Sequence, residues 1–402
     1  MNTTTLLLSS AASVVQRVLL SSTVAVDPHV SCVDISSSLN VSANKFNAAA
    51  NGGDGTVIFA PFLSDCVGIW EIASRSFNCV DISSSLNATY KFTGAANAGD
   101  HVVFAPGNID CVGVWEMAAS KFSCIQVPPS LRMPWKFSNA ANAGDGTVVF
   151  APLNADCVGV WEAASRSFTC VDISSSVDTT PMGLFTGAAN AGDGTVVFAP
   201  GSADCVGIWE TAARSFVCVD ITASLSMDEK FVGAVNAGDG TIIFAPSNAP
   251  CVGVWEVASR SFQCVDISSS LDMSKKFETA AMSGDGRAIF APFNSPCVGV
   301  WDVASRSFHC VGISSASPSL ISPGLEEKFC GAAQADDGTV VLAPLYAGCV
   351  GVVEVGEATV QAGFVYLVAS LVALGGCLEC YQSMLCCYAR CSRRRTSFVA
   401  LQ

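Results

Sequence analysis

GDGTVVFAP at Gly144–Pro152, followed by CVGVWEAASRSFTCVDISSS at Cys157–Ser176, decides the fold, because the chain repeats this pattern about every 46 residues. The cysteine opening the second stretch recurs as Cys66, Cys111, Cys205, Cys251 and Cys297. Thirteen residues after each comes Cys79, Cys124, Cys218, Cys264 or Cys310, as Cys170 follows Cys157. Six complete units result, and two halves are left over. SCVDISSS from Ser31, holding Cys32, lacks a first half, and GTVVLAPLYAGCVGVVEV, holding Cys349 and ending at Val355, lacks a second. Joined, they make a seventh unit. A linear solenoid needs polar caps, whereas a ring can share one blade between its termini. The pattern therefore predicts an all-β, seven-bladed β-propeller over residues 28–355, closed by a blade shared between the N- and C-terminal repeats.

Each unit offers four extended runs. KFTGAANA (Lys91–Ala98) has the small residues an innermost strand needs beside a central channel. Gly144-Asp145-Gly146 supplies a tight turn, Thr147–Ala151 is rich in β-branched and aromatic residues, and Pro152 ends that strand. The last two strands form a hairpin. Setting Cys157 opposite Cys170 also places Gly159 opposite Phe168 and Trp161 opposite Arg166 on one face, predicting a Trp–Arg stack. The same pair recurs at Trp70/Arg75, Trp209/Arg214, Trp255/Arg260 and Trp301/Arg306, and Ser120 breaks it in blade two.

At VGVWEAASRSF, from Val158, the chain resembles the kelch family of β-propellers. The likeness covers only this hairpin in each blade, since Phe150-Ala151-Pro152 stands where kelch repeats carry paired glycines. The whole repeat is similar to uncharacterised propeller repeats with KF-GAA, VVFAP and CVGV-FxCVDI elements, and what this implies is a fold rather than an activity.

Net charge is −14, with 20 Lys and Arg, which argues against nucleic acid as a partner. Residues 358–378 (ATVQAGFVYLVASLVALGGCL) carry no charge and are long enough to span a bilayer as a transmembrane helix. Arg390, Arg393, Arg394 and Arg395 would then mark residues 379–402 as a cytosolic tail. This predicts a single-pass anchor with the propeller on the extracytoplasmic side, the alternative being a cytoplasmic protein with a docked hydrophobic helix. Residues 1–27 read as either a signal peptide, with Leu6–Val15 as its apolar core and Thr23-Val24-Ala25 at the cleavage site, or a disordered tail.

The fourteen repeat cysteines are candidates for disulfides, or for small buried hydrophobes between blades. Cys330 stands alone in a first strand. Cys377, Cys380, Cys386, Cys387 and Cys391 cluster beyond the apolar segment, where Cys386 and Cys387 are candidates for palmitoylation. Asn40 and Asn87 head glycosylation sequons. Asp54, Asp100, Asp145, Asp193, Asp239, Asp285 and Asp337 read as turn residues rather than calcium ligands. Asn51, Asn97, Asn142, Asn190 and Asn236 read as satisfying backbone groups at the channel mouth.

His29, His101 and His309 are scattered among blades, and no nucleophile motif is present, so neither a metal or other cofactor nor catalysis is expected. The expectation is a membrane-anchored recognition scaffold for a protein or glycan ligand. The alternative is a kelch-type carbohydrate-active or oxidative enzyme with its site in the channel. The first-to-second and third-to-fourth turns are nearly uniform. The opposite face varies, in the loops Phe62–Asp65, Leu153–Asp156 and Leu345–Gly348 and in the crossings Pro128–Trp135, Asp178–Leu184 and Ser317–Glu327. Arg132 and Trp135 on that face are the candidate ligand-binding residues.

Overall fold

The computed structural model describes residues 22–25, 27–39, 43–313, 321 and 324–360. Residues 27–356 form one unit containing seven four-stranded antiparallel sheets. Blade three is typical: Phe137–Asn142, Thr147–Pro152, Cys157–Glu162 and Ser167–Asp172 pair in chain order. Blade seven takes Phe329–Gln334, Val340–Pro344 and Cys349–Glu354 from the C-terminal side and His29–Asp34 from the N-terminal side. Innermost strands pack blade to blade around the ring, that of blade seven against that of blade one. Small residues permit this approach: a methyl on Gly94 would lie 2.7 Å from the Asn139 backbone.

The hairpin register differs from expectation. Cys157 lies opposite Asp172, Gly159 opposite Cys170 and Trp161 opposite Phe168. The predicted pairs are displaced because Arg166 closes the turn at φ +51°, a conformation a strand cannot hold. Cys157 and Cys170 are thus diagonal neighbours on one face, Cα atoms 5.5 Å apart, and they form a disulfide. So do Cys66–Cys79, Cys111–Cys124, Cys205–Cys218, Cys251–Cys264, Cys297–Cys310 and Cys32–Cys349.

Nor does Trp161 stack on Arg166. The indole is 2% exposed, packed with Phe137, Phe150 and the disulfide against Val112 and Val114 of the preceding blade. An indole buried between blades gains more from apolar contact than an exposed cation could give it. Phe137, Phe150 and Phe168 form a ring trio with centroids 5.7 to 6.0 Å apart, and Phe137 and Phe150 cover the bare Gly159 backbone.

Arg166 reaches across the joint to Glu116 of blade two at 2.8 Å. Arg214 pairs likewise with Glu162, Arg75 with Glu354, Arg260 with Glu210 and Arg306 with Glu256. On the opposite face the buried lysine before the first strand of every blade but the fourth, which has Leu184, joins blades by another route. Lys136 Nζ donates to Ile109 O at 2.9 Å, Lys230 to Ala203 O at 3.0 Å and Lys276 to Ala249 O at 2.9 Å, all in the preceding blade. Burial lowers the pKa of these ammonium groups, for Lys45 to about 8.

The channel-mouth asparagines satisfy backbone groups as expected. Asn142 Oδ1 accepts from Gly144 N, and its Nδ2 donates to Asn97 O of the preceding blade, both at 2.8 Å. The turn aspartates act locally too, Asp145 accepting from the Thr147 amide and hydroxyl.

A separate unit holds a two-stranded antiparallel pair, Ser22–Ala25 with Glu357–Val360. The start of the expected transmembrane helix, Ala358 to Val360, is therefore extended rather than helical, in keeping with its β-branched Thr359 and Val360. Its remainder lies outside the described residues, as do Leu6–Val15, Asn40, Cys386, Cys387 and Arg393 to Arg395. Among the described residues no helix is long and apolar enough to cross a membrane.

Candidate functional site: a bowl on the variable face

The second-to-third loops and the crossings surround a bowl of about 780 Å³ at one mouth of the channel. Its rim is built from one repeat position, the residue before each Lys-Phe pair or its equivalent. That position holds Asn44, Tyr90, Trp135, Gly183, Glu229, Lys275 and Glu327 in turn, all with positive φ: +77° for Gly183 and +50 to +54° for the others. Only glycine enters this region without cost, so six residues carry backbone strain that the surroundings must hold.

Backbone bonds hold it. Asn108 N donates to Tyr90 O at 3.1 Å while Asn108 Oδ1 accepts from Trp135 N at 2.8 Å. Asn154 N then donates to Trp135 O, and its Oδ1 accepts from Gly183 N. Asn248 and Asn294 repeat the relay for Glu229, Lys275 and Glu327. Every one of these bonds uses the main chain of the rim residue, so its side chain is free to differ from blade to blade.

The rim is chemically divided. Phe62, Tyr90 and Trp135 cluster with centroids 5.2 to 5.8 Å apart, and Tyr90 is 38% exposed. Glu229, Lys275 and Glu327 occupy the far arc, across blades five to seven. Between rim and channel, the residue after each first-strand Phe faces the bowl. Asn47, Thr93, Ser138 and Thr186 use it to bond the next blade, Ser138 Oγ donating to Phe185 O at 2.9 Å and Asn47 Nδ2 to Thr93 O at 3.2 Å. Val232, Glu278 and Cys330 hold the position in blades five to seven. Glu278 is half-buried, and enclosure by the channel, then repulsion from Glu327 and Glu229, raises its pKa to about 7 against the pull of Lys275. The buried Cys330 thiol is pushed up by desolvation and by Glu278 and Glu327.

Trp135 thus lies in the bowl, whereas Arg132 does not line it. Arg132 is 65% exposed, beside Asp110 at 3.7 Å. Asn87 is exposed in a crossing. His29, His101 and His309 lie away from the bowl, His101 opening the second strand of blade two. Among the described residues no three His, Cys, Asp or Glu side chains converge as a metal-binding group. Sequence reading missed Tyr90, Glu278 and the rim as a series. Lining up the residue before each Lys-Phe would have exposed the series, since an unvarying pair is preceded by a position that changes.

No protein family's profile and no curated protein matches the sequence. The fold is similar to that of a streptogramin B lyase, with 12% identity, TM-score 0.64, and coverage of 82% of this chain and 98% of that one. It is also similar to the WD40 repeats of RRP9, with 12% identity, TM-score 0.57, and coverage of 83% and 100%. A third likeness is to the extracellular domain of a putative one-component system from B. thetaiotaomicron, with 9% identity, TM-score 0.58, and coverage of 80% of this chain and 39% of that one. At these identities the likeness shows the fold alone. The chain is a seven-bladed β-propeller.

Proposed function

We propose that this propeller is a recognition scaffold that binds a protein or glycan ligand in the bowl of its variable face. One observation carries the reading: a rim position whose backbone is fixed by the scaffold in every blade while its side chain varies. Function built on loops over a rigid frame takes this form. The seven disulfides favour an oxidising compartment, hence an extracellular or secreted ring. A tether through residues 358–378, acylation at Cys386 and Cys387, and glycans at Asn40 and Asn87 belong to the same proposal. The hairpin's kelch resemblance adds nothing about the ligand.

A catalytic propeller is the second reading, since one similar structure is a catalytically inactive histidine-to-alanine form of virginiamycin B lyase from Staphylococcus aureus with quinupristin. That reading is the weaker, because no histidine of this chain lines its bowl.

The test is to pan the purified ring, disulfides intact, against a random peptide library and a glycan array. Ligands so found are then measured on Trp135→Ala, Tyr90→Ala and Arg166→Ala variants. Losses of tenfold or more at Trp135 and Tyr90, with Arg166→Ala binding as the parent does, are expected. Equal binding by the parent and the Trp135→Ala/Tyr90→Ala double variant would remove the bowl as the site.

A further inference from the structure

Across blades five to seven the first-strand position facing the bowl departs from its own repeat. Four blades fill the first-strand position facing the bowl with a short polar side chain tied to the next blade. Glu278 sits at this position in blade six, where a carboxylate has no proton to donate to the next blade's carbonyl. Its carboxylate has no hydrogen-bond or ion-pair partner among the described residues. Two more carboxylates, Glu229 and Glu327, stand on the rim close enough to repel it, and Lys275 opposes them. The nearby ammonium groups of Lys230, Lys276 and Lys328 are engaged by loop carbonyls. The opposite arc presents the Phe62, Tyr90 and Trp135 rings.

Resting on the recognition reading above, we propose that the bowl takes an organic cation, an ammonium or guanidinium group on an apolar stem, with the stem against Phe62, Tyr90 and Trp135 and the charge at Glu278 and Glu327. Three carboxylates against one lysine, in a chain of net charge −14, repel phosphate, sulfate and carboxylate ligands. Aromatic faces attract a cation in addition to covering its stem. A neutral sugar would use the rings but would leave Glu278 desolvated and unpaired, whereas a cation relieves that cost. The group has two natural sources: a free amine, or a lysine or arginine side chain presented by a protein.

Binding also couples to protons. Glu278 faces Glu229, Lys275, Glu327 and the Cys330 thiol, and its enclosure beside two other carboxylates raises its pKa to about 7. An arriving cation favours its ionised form and expels its proton, so affinity should rise between pH 6 and 8.

Calorimetric titration of the intact ring tests this with 4-phenylbutylammonium, its neutral alcohol and its carboxylate. A capped six-residue peptide with adjacent phenylalanine and lysine forms a further arm. The ammonium should bind at least tenfold more tightly than the alcohol, and the carboxylate not at all. Glu278→Gln with Glu327→Gln should weaken the ammonium at least tenfold, leave the alcohol unchanged and abolish the pH dependence. Trp135→Ala should weaken ammonium and alcohol together. Tighter binding of the peptide than of the amine assigns the cation to a protein partner, and the reverse assigns it to a small amine.

Alcohol and ammonium binding equally, both sensitive to Trp135→Ala, would overturn the cation inference and keep the bowl as a binding site. Failure of every probe would overturn the cation inference too. Recovery of the same seven disulfides from each variant guards against misfolding.

Discussion

Glu278 makes the ring less stable as the pH rises from about 4.5 to about 7. Below the ordinary value of 4.5 the carboxyl is protonated in both folded and unfolded chains and contributes nothing. As pH rises towards about 7 the unfolded chain ionises first, the native state holds more protons, and stability falls until the native group ionises too. Glu278→Gln removes this loss. Allowing for water in the channel, the variant should gain about 1 to 3 kcal/mol at pH 8 and nothing at pH 4. Urea denaturation at the two pH values checks it, and equal stability at pH 8 would contradict the assignment. The cysteine pairs were legible at this scale, because spacing alone matched them. Glu278 was not, since neither its enclosure nor its lack of a partner leaves a mark on the residues beside it.

At the scale of strands and joints, blades one, three, five and six are each fastened to their predecessor twice, and the two fastenings differ in strength. Arg166 and Glu116 are substantially exposed, so Arg166→Ala should cost about 0.5 kcal/mol or less. Lys136 is buried, and Lys136→Ala leaves a cavity and an unsatisfied Ile109 carbonyl, for about 2 to 4 kcal/mol. Lys136→Leu should fall between them, because blade four carries the buried Leu184 at the equivalent position. Thermal unfolding of the three variants ranks them, and a loss at Arg166→Ala matching that at Lys136→Ala would reverse the assignment. Strand order and blade content followed from the repeat. The hairpin register did not, because alternation fixes which residues share a face but not which pair directly oppose. That choice was made by the positive φ at Arg166 and by burial of Trp161 between blades.

For the whole molecule, closure is the property on which the rest depends. The two leftover half-repeats foretold the shared blade, and its outer strand His29–Asp34 pairs along the length of Cys349–Glu354. The Cys32–Cys349 bond, with a sequence separation of 317, is worth about 6 kcal/mol in the chain-entropy picture. A Cys32→Ser/Cys349→Ser variant should therefore unfold at lower temperature and lose protection from amide exchange in blade seven before the other blades. Uniform exchange across all seven blades would show that the latch adds nothing. Peptide mapping without reductant gives a direct check on the bond itself.

The cysteine spacing also bears on how the chain finds its native state. Fourteen cysteines can be joined in on the order of 10⁵ ways. Six of the native bonds, however, join cysteines 13 residues apart within one hairpin. Short loops close quickly and at small entropic cost. Each hairpin can trap its own pair as it emerges from synthesis, removing two cysteines from the search without reference to the rest of the chain. Cys32 waits for Cys349, so oxidation of that pair marks a finished molecule, and a cell could inspect the whole ring by the state of those two thiols.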